Sequence, residues 1–251
     1  MTEQEWLTCE NPQRMLRSLR REWEKGGEYY IVSSRKLRLW CLMCRFVSGR
    51  GHGDNLYRII DRTDGADGGN AANNAGSWAN PDFDEPGDPT PAMKCEILSD
   101  IIGNPFRLVE VHPDWLTPTV LTLAQAAYEE RETVRCLRCL GSGRMEKNGS
   151  DHPCPDCHGG HVVTGHLDPV RLAVLADALE EAGCSGEVEC KACDGKGWHP
   201  GDMDMGCGAC GATSAGSVGS GRVPHPLLAH LRSPGPHYRG CWVVDLCLGK
   251  E

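Results

Sequence analysis

Eight cysteines in the second half of the chain fall into four Cys-x-x-Cys units: Cys136 with Cys139, Cys154 with Cys157, Cys190 with Cys193, and Cys207 with Cys210. A two-residue gap lets both sulfurs of a unit bind one tetrahedral ion, and two units supply the four sulfurs of a closed zinc site. Three of the units carry a glycine two places after the second cysteine. Glycine adopts positive φ cheaply, which lets backbone N–H groups turn toward the sulfurs. The pattern predicts two Zn2+ ions, each held by four cysteines. Four-cysteine sites also hold iron–sulfur clusters, so both metals stay open. Disulfides within the units are the competing chemistry, but nothing around them has the strand-to-helix setting of a thioredoxin motif.

CLRCLGSGRMEKNGSDHPCPDCHGGHVV, starting at Cys136, and CKACDGKGWHP, starting at Cys190, resemble the CxxCxGxG cysteine-rich zinc-binding region of DnaJ-type chaperones. The first and third units match in full. The second has His161 at the final glycine, and the fourth, CGACGATS, shifts its glycine. The likeness covers about residues 134–222. The tripeptide His112-Pro113-Asp114 lies outside this stretch and no J-domain resemblance accompanies it, so co-chaperone activity is not implied. In the DnaJ-type region the outer units share one zinc and the inner units the other. Here 32 residues separate the second unit from the third, against 14 between Cys139 and Cys154 and 13 between Cys193 and Cys207. Loop closure favours local pairing by less than about 1 kcal/mol, so local and nested pairings both stand as alternatives.

The elements that must carry these units read as helices. LDPVRLAVLADALEEAGC has Asp168 as N-cap, Pro169 at the first helical position and Gly183 as terminator. A second helix starts at Thr117 and Pro118, with Val120, Leu121, Leu123, Ala124, Ala127 and Tyr128 as its buried stripe. RKLRLWCLMCRFV repeats the pattern through Leu37, Trp40, Cys41 and Cys44. These two cysteines form a fifth CxxC, but no glycine follows and the setting is apolar. With Cys9, Cys95, Cys184, Cys241 and Cys247 they read as packing residues. In the tail, Trp242, Val243, Leu246 and Leu248 are expected to be buried. No alternating strand pattern stands out beyond the cysteine hairpins. The expected fold is mainly α: a small helical domain with two inserted zinc-knuckle β-hairpin loops. Its segments are an N-terminal helical part (1–60), a flexible Gly/Asn/Asp/Pro-rich loop (61–92), a helical core (93–135), a first zinc loop (136–166), a core helix (167–185), a second zinc loop (186–223) and a C-terminal helical part (224–251).

The helical remainder carries a second resemblance. MTEQEWLTC, CEILSDIIGNPFRLVEVHPDWLTPTV, LAQAAYEER, LADALEEAGC and HLRSPGPHYRGCWVVDLCLGKE are similar to motifs of an uncharacterised family of bacterial helical proteins that occurs as many paralogues. There, short connections join the segments that the cysteine-rich stretches separate here. The resemblance implies two insertions, each leaving and re-entering the helical body at nearly one place, and so supports local pairing. It supplies no activity and no catalytic residues.

Other chemistry finds little footing. The sequence has no GxSxG elbow, Walker loop or HExxH, and its one GxGxxG, Gly206 to Gly211, straddles the fourth cysteine unit without the strand and helix of a dinucleotide fingerprint. Asp64, Asp67 and Asn70 hint at calcium but miss the EF-hand spacing. His152, His158, His161, His166 and His199 lie beside the units and read mostly as solvated loop residues, since four sulfurs already close a tetrahedron. Across 251 residues, 39% are hydrophobic and the net charge is −9. That balance, with no basic stripe in either cysteine segment, makes nucleic acid an unfavoured partner. With no stretch of about 18 apolar residues, no membrane partner is expected. The reading is a non-enzymatic, cytoplasmic, zinc-binding interaction or scaffold module with a polypeptide partner. Zinc-dependent nucleic-acid binding and thiol oxidoreduction are the alternatives.

Overall fold

The computed structural model describes residues 1–22, 28–30, 32–47, 79, 88–107, 109–129, 133–135, 139–147, 149–154, 161–163, 165–199, 202–213 and 217–250. Most of the loop expected over 61–92 lies outside this set, as do Cys136, Cys157 and His158. Eight α-helices are present among the described residues: α1 (Glu3–Leu7), α2 (Pro12–Ser18), α3 (Ser34–Val47), α4 (Pro91–Ile102), α5 (Pro118–Glu129), α6 (Pro169–Glu181), α7 (Pro226–Leu231) and α8 (Trp242–Leu248). All described sheets are two-stranded, so the chain is mainly α. No described helix is long and apolar enough to cross a membrane.

The chain divides into two units. The first comprises Met1–Leu108, Ala124–Asp168 and Gly235–Glu251. Its core gathers Trp6 of α1, Met15 and Leu16 of α2, Leu37, Trp40 and Met43 of α3, and Ile97, Leu98 and Ile101 of α4. Caps fix where these helices start. Thr2 and Glu5 form a capping box on α1, Asn11 accepts from the Arg14 N–H ahead of α2, and Thr90 accepts from the Met93 N–H ahead of α4. Each satisfies a donor that the first turn leaves without a partner. Helix α4 thus begins at Pro91, inside the stretch whose composition reads as loop.

Cys41, Cys44 and Cys95 are buried in this core, as their apolar settings predict, while Cys9 is only half-buried. Burial pushes the Cys41 thiol up to about 12 and is the first cause of the same rise at Cys95. One charge cluster was not foreseen. Asp245 of α8, 1% exposed, takes Arg35 at 2.7 Å and Lys36 at 2.6 Å, and Arg35 also donates to the Tyr128 hydroxyl at 2.8 Å. A buried carboxylate is tolerable here because two cations and a hydrogen-bond network meet it.

The second unit comprises Val109–Leu123 and Pro169–Pro234. Helix α6 packs on α7 through Leu172, Leu175 and Leu179 on one side and Leu227, Leu228 and Leu231 on the other. Gly183 takes φ +103° after α6, the left-handed conformation a terminator requires. Arg232 binds Asp177 at 2.6 Å and also pairs with Glu180.

Three expectations need correction. On α5, Val120, Ala124, Ala127 and Tyr128 are buried, but Leu121 is exposed and Leu123 half-buried, so the stripe is narrower than the run of apolar residues. On α8, Val243 is buried but Trp242, Leu246 and Leu248 are only partly so. The inward face belongs to Val243, Val244, Asp245 and Cys247. A short sheet outside the cysteine segments pairs β1 (Arg20–Glu22) with β2 (Glu28–Tyr30).

The cysteine segments themselves begin and end on paired strands. In the first unit β3 (Thr133–Arg135) lies antiparallel to β6 (His161–Val163), with Val134 opposite Val162. Between them β4 (Arg144–Lys147) and β5 (Ser150–Pro153) form a hairpin. In the second unit β7 (Glu187–Glu189) pairs with β10 (Arg222–Pro224), and β8 (Trp198–His199) pairs with β9 (Asp202–Gly206). Each segment therefore leaves and re-enters its unit at one place.

Candidate metal centre

In the second unit the Sγ atoms of Cys190, Cys193, Cys207 and Cys210 all lie within 4.8 Å of one another. Cys190 Sγ is 3.8 Å from Cys207 Sγ, and Cys193 Sγ is 3.7 Å from Cys210 Sγ. Sulfurs on a tetrahedral zinc, with bonds of about 2.3 Å, sit about 3.8 Å apart. A disulfide, at about 2.05 Å, does not fit these separations. The third and fourth units thus close on each other, in the local arrangement. The four cysteines are at most 7% exposed, and among the described residues the partly buried Val223 packs against their cluster. This group could hold a metal ion.

The backbone explains why this sequence brings the sulfurs together. After Cys193, Asp194 takes φ +48° and Gly195 φ +72°, which reverses the chain. Gly197, at φ +78°, donates its N–H to Cys193 Sγ at 3.2 Å. The Gly197 carbonyl then accepts from the N–H groups of Cys207 and Gly219, each at 2.8 Å. One glycine thereby ties the first half-site, the second half-site and the returning strand. A Cβ at Gly197 would sit 2.2 Å from the Gly219 carbonyl oxygen. A Cβ at Gly219 would come within 2.6 Å of Cys210 Sγ, so the return of the chain lies directly on the sulfurs.

Electrostatics separates Cys190, Cys193 and Cys210. Burial pushes Cys210 up to about 12 and also raises Cys190. At Cys193 burial acts in the same direction, but the Gly197 N–H and the neighbouring thiols outweigh it, leaving the group below its ordinary value. Of Cys190, Cys193 and Cys210, Cys193 is thus the one whose thiolate is favoured. A cation must displace protons from the others, as thiolate coordination generally requires.

The first unit repeats this wiring. Leu140, after Cys139, takes φ +51°, and Gly143, at φ +72°, donates to Cys139 Sγ at 3.2 Å. The Gly143 carbonyl accepts from the Cys154 N–H at 2.9 Å. Cys139, Gly143 and Cys154 thus correspond to Cys193, Gly197 and Cys207. Cys139 and Cys154 are buried in one cluster with Met145 at its edge. Their expected co-ligands Cys136 and Cys157 lie outside the described residues.

Among the described residues no histidine joins the four sulfurs of the second unit. His152 is exposed, and His166 rests against the Tyr238 ring at 4.9 Å between centroids. The fourth unit's missing glycine has a substitute that spacing does not reveal. Gly221, whose carbonyl accepts from Cys190 N–H at 2.8 Å, supplies the backbone N–H that favours the Cys210 thiolate. The glycines of GSVGSG were the available signal. Comparison with family models, curated proteins and solved structures finds no match to this chain.

Proposed function

We propose that this chain is a zinc-binding protein whose two cysteine segments are zinc knuckles, each ordered by its own four-cysteine ion, serving as a polypeptide-interaction or scaffold module. The first ion is assigned to Cys136, Cys139, Cys154 and Cys157, and the second to Cys190, Cys193, Cys207 and Cys210. The observation that carries the reading is the pair of sulfur separations at 3.7 and 3.8 Å in the second unit, the spacing of ligands around one zinc. The repeated wiring of Cys139, Gly143 and Cys154 extends it to the first, and the DnaJ-type resemblance of both segments agrees with it.

Four thiolates close the coordination shell and leave no position for water or substrate, so the metal's role is structural. Free thiols in this number belong in a reducing compartment, which supports a cytoplasmic setting. Exposed Leu140, Met205 and Val218 give the segments apolar contact points of the kind a polypeptide uses. Serine at both Cys139 and Cys193 should lower bound zinc by two ions per chain, read by elemental analysis; an unchanged zinc content contradicts the assignment. Chelation should abolish capture of polypeptide partners, and undiminished capture removes the knuckles from the interaction.

A further inference from the structure

A different set of donors meets inside the first unit. Asp100 lies on α4, His237 in the loop before α8, and Cys241 at the N-cap of α8. They are 4%, 2% and 0% exposed. A carboxylate oxygen, a ring nitrogen and Cys241 Sγ lie within 4.8 Å of one another. Asp100 Oδ1 is 2.9 Å from His237 Nδ1, and Asp100 Oδ2 accepts from the Tyr238 N–H at 2.7 Å.

We propose that Asp100, His237 and Cys241 form a further site for a divalent transition metal of the zinc class, independent of the cysteine knuckles. The donor set is oxygen, nitrogen and sulfur, which suits a borderline-soft ion. Charge supports it too. A carboxylate, a thiolate and a neutral imidazole around a doubly charged cation sum to zero, the only total that a water-free interior holds cheaply. The separations agree. Oxygen and nitrogen ligands with bonds of about 2.0–2.1 Å to one tetrahedral ion sit about 3.3 Å apart, close to the 2.9 Å that Asp100 and His237 keep around a shared proton. Asp100 is itself fixed by the Tyr238 N–H, so the pair needs little rearrangement to accept an ion.

Zinc per chain is measured on the full-length protein after saturation with Zn2+ and desalting, beside His237→Gln and Cys241→Ala. The glutamine amide can still hydrogen-bond Asp100, so that variant keeps a purely structural contact while losing the ligand. Each variant should hold one ion fewer than wild type, with unchanged far-UV circular dichroism for His237→Gln. Equal zinc in wild type and both variants overturns the proposal. If a variant misfolds, the chain carrying serine at Cys139 and Cys193 decides: one retained ion is expected, and none overturns the site. Should the knuckles hold no metal, the one-ion difference between wild type and His237→Gln is still expected, which separates the two assignments.

Discussion

Cysteine does two jobs in this molecule, and its neighbours decide which. In the helical core, Cys41, Cys44 and Cys95 sit among Trp40, Met43 and Leu98 and behave as small apolar side chains. In the segment from β7 to β10, four cysteines are themselves the buried cluster, with Val223 alone among the described residues packed against them. A core of that size cannot offset the ordering of the 38 residues from Glu187 to Pro224. One region folds by removing hydrocarbon from water; the other, under the function proposed above, is ordered by a cation.

The largest contrast should come from chelation. Structural zinc contributes about 10–16 kcal/mol in finger peptides, comparable with the stability of a whole domain. Hydrogen exchange should show the amides of Gly197, Cys207 and Ser220 losing protection on metal removal while those of α3 and α4 keep it. Retained protection in the cysteine segment would erase the contrast.

A finer break is available at the glycines. Gly219→Ala puts a methyl group 2.6 Å from Cys210 Sγ, whereas a Cβ at Gly208 meets nothing within 4 Å. Overpacking of this kind costs about 1–3 kcal/mol, or about 5- to 150-fold in metal affinity. Competition titration with a zinc indicator should show that loss for Gly219→Ala and none for Gly208→Ala.

The converse substitution is milder. Cys44→Ala should cost about 1 kcal/mol in denaturant unfolding, the scale of a small core deletion, and leave bound metal unchanged. Thiol labelling sharpens the point. With pKa values pushed up to about 12 by burial, Cys41 and Cys95 are thiolate in only about one molecule in ten thousand at pH 8. They should stay unlabelled after chelation while the knuckle cysteines react.

This division was legible in the sequence at the level of neighbours. The fifth CxxC, with no glycine after it and Trp40 beside it, reads as core. The units followed by Gly141 and Gly195 read as ligands. Helix ends were legible where a cap or terminator is local, as at Pro169 and Gly183. What escaped depends on distant chain. Gly221 serves Cys210 across a loop, Asp245 finds Arg35 from 210 residues away, and Asp100 meets His237 across 137. Leu121 and Trp242 misled because apolar type is visible in a sequence while the direction a helix faces is set by its packing.

The smallest effect concerns pH. Burial lowers the pKa of His225, which follows β10 and meets Trp115 edge-on at 5.5 Å. The unfolded imidazole takes up its proton near pH ~6.5, the folded one only at lower pH. Between those values the unfolded state binds more protons, so stability is full above about 6.5 and falls as pH drops through the folded value. His225→Gln should flatten that slope in unfolding measured from neutral to mildly acidic pH, and an unaltered slope would place its origin elsewhere.

The account rests on each cysteine segment closing on its own ion, and zinc per chain in Cys154→Ser, Cys190→Ser and the double variant tests it most directly. Local pairing predicts that each single change removes one ion and the pair removes two. If the double variant loses only the ion that either single change removes, the inner units share it, and the account is wrong.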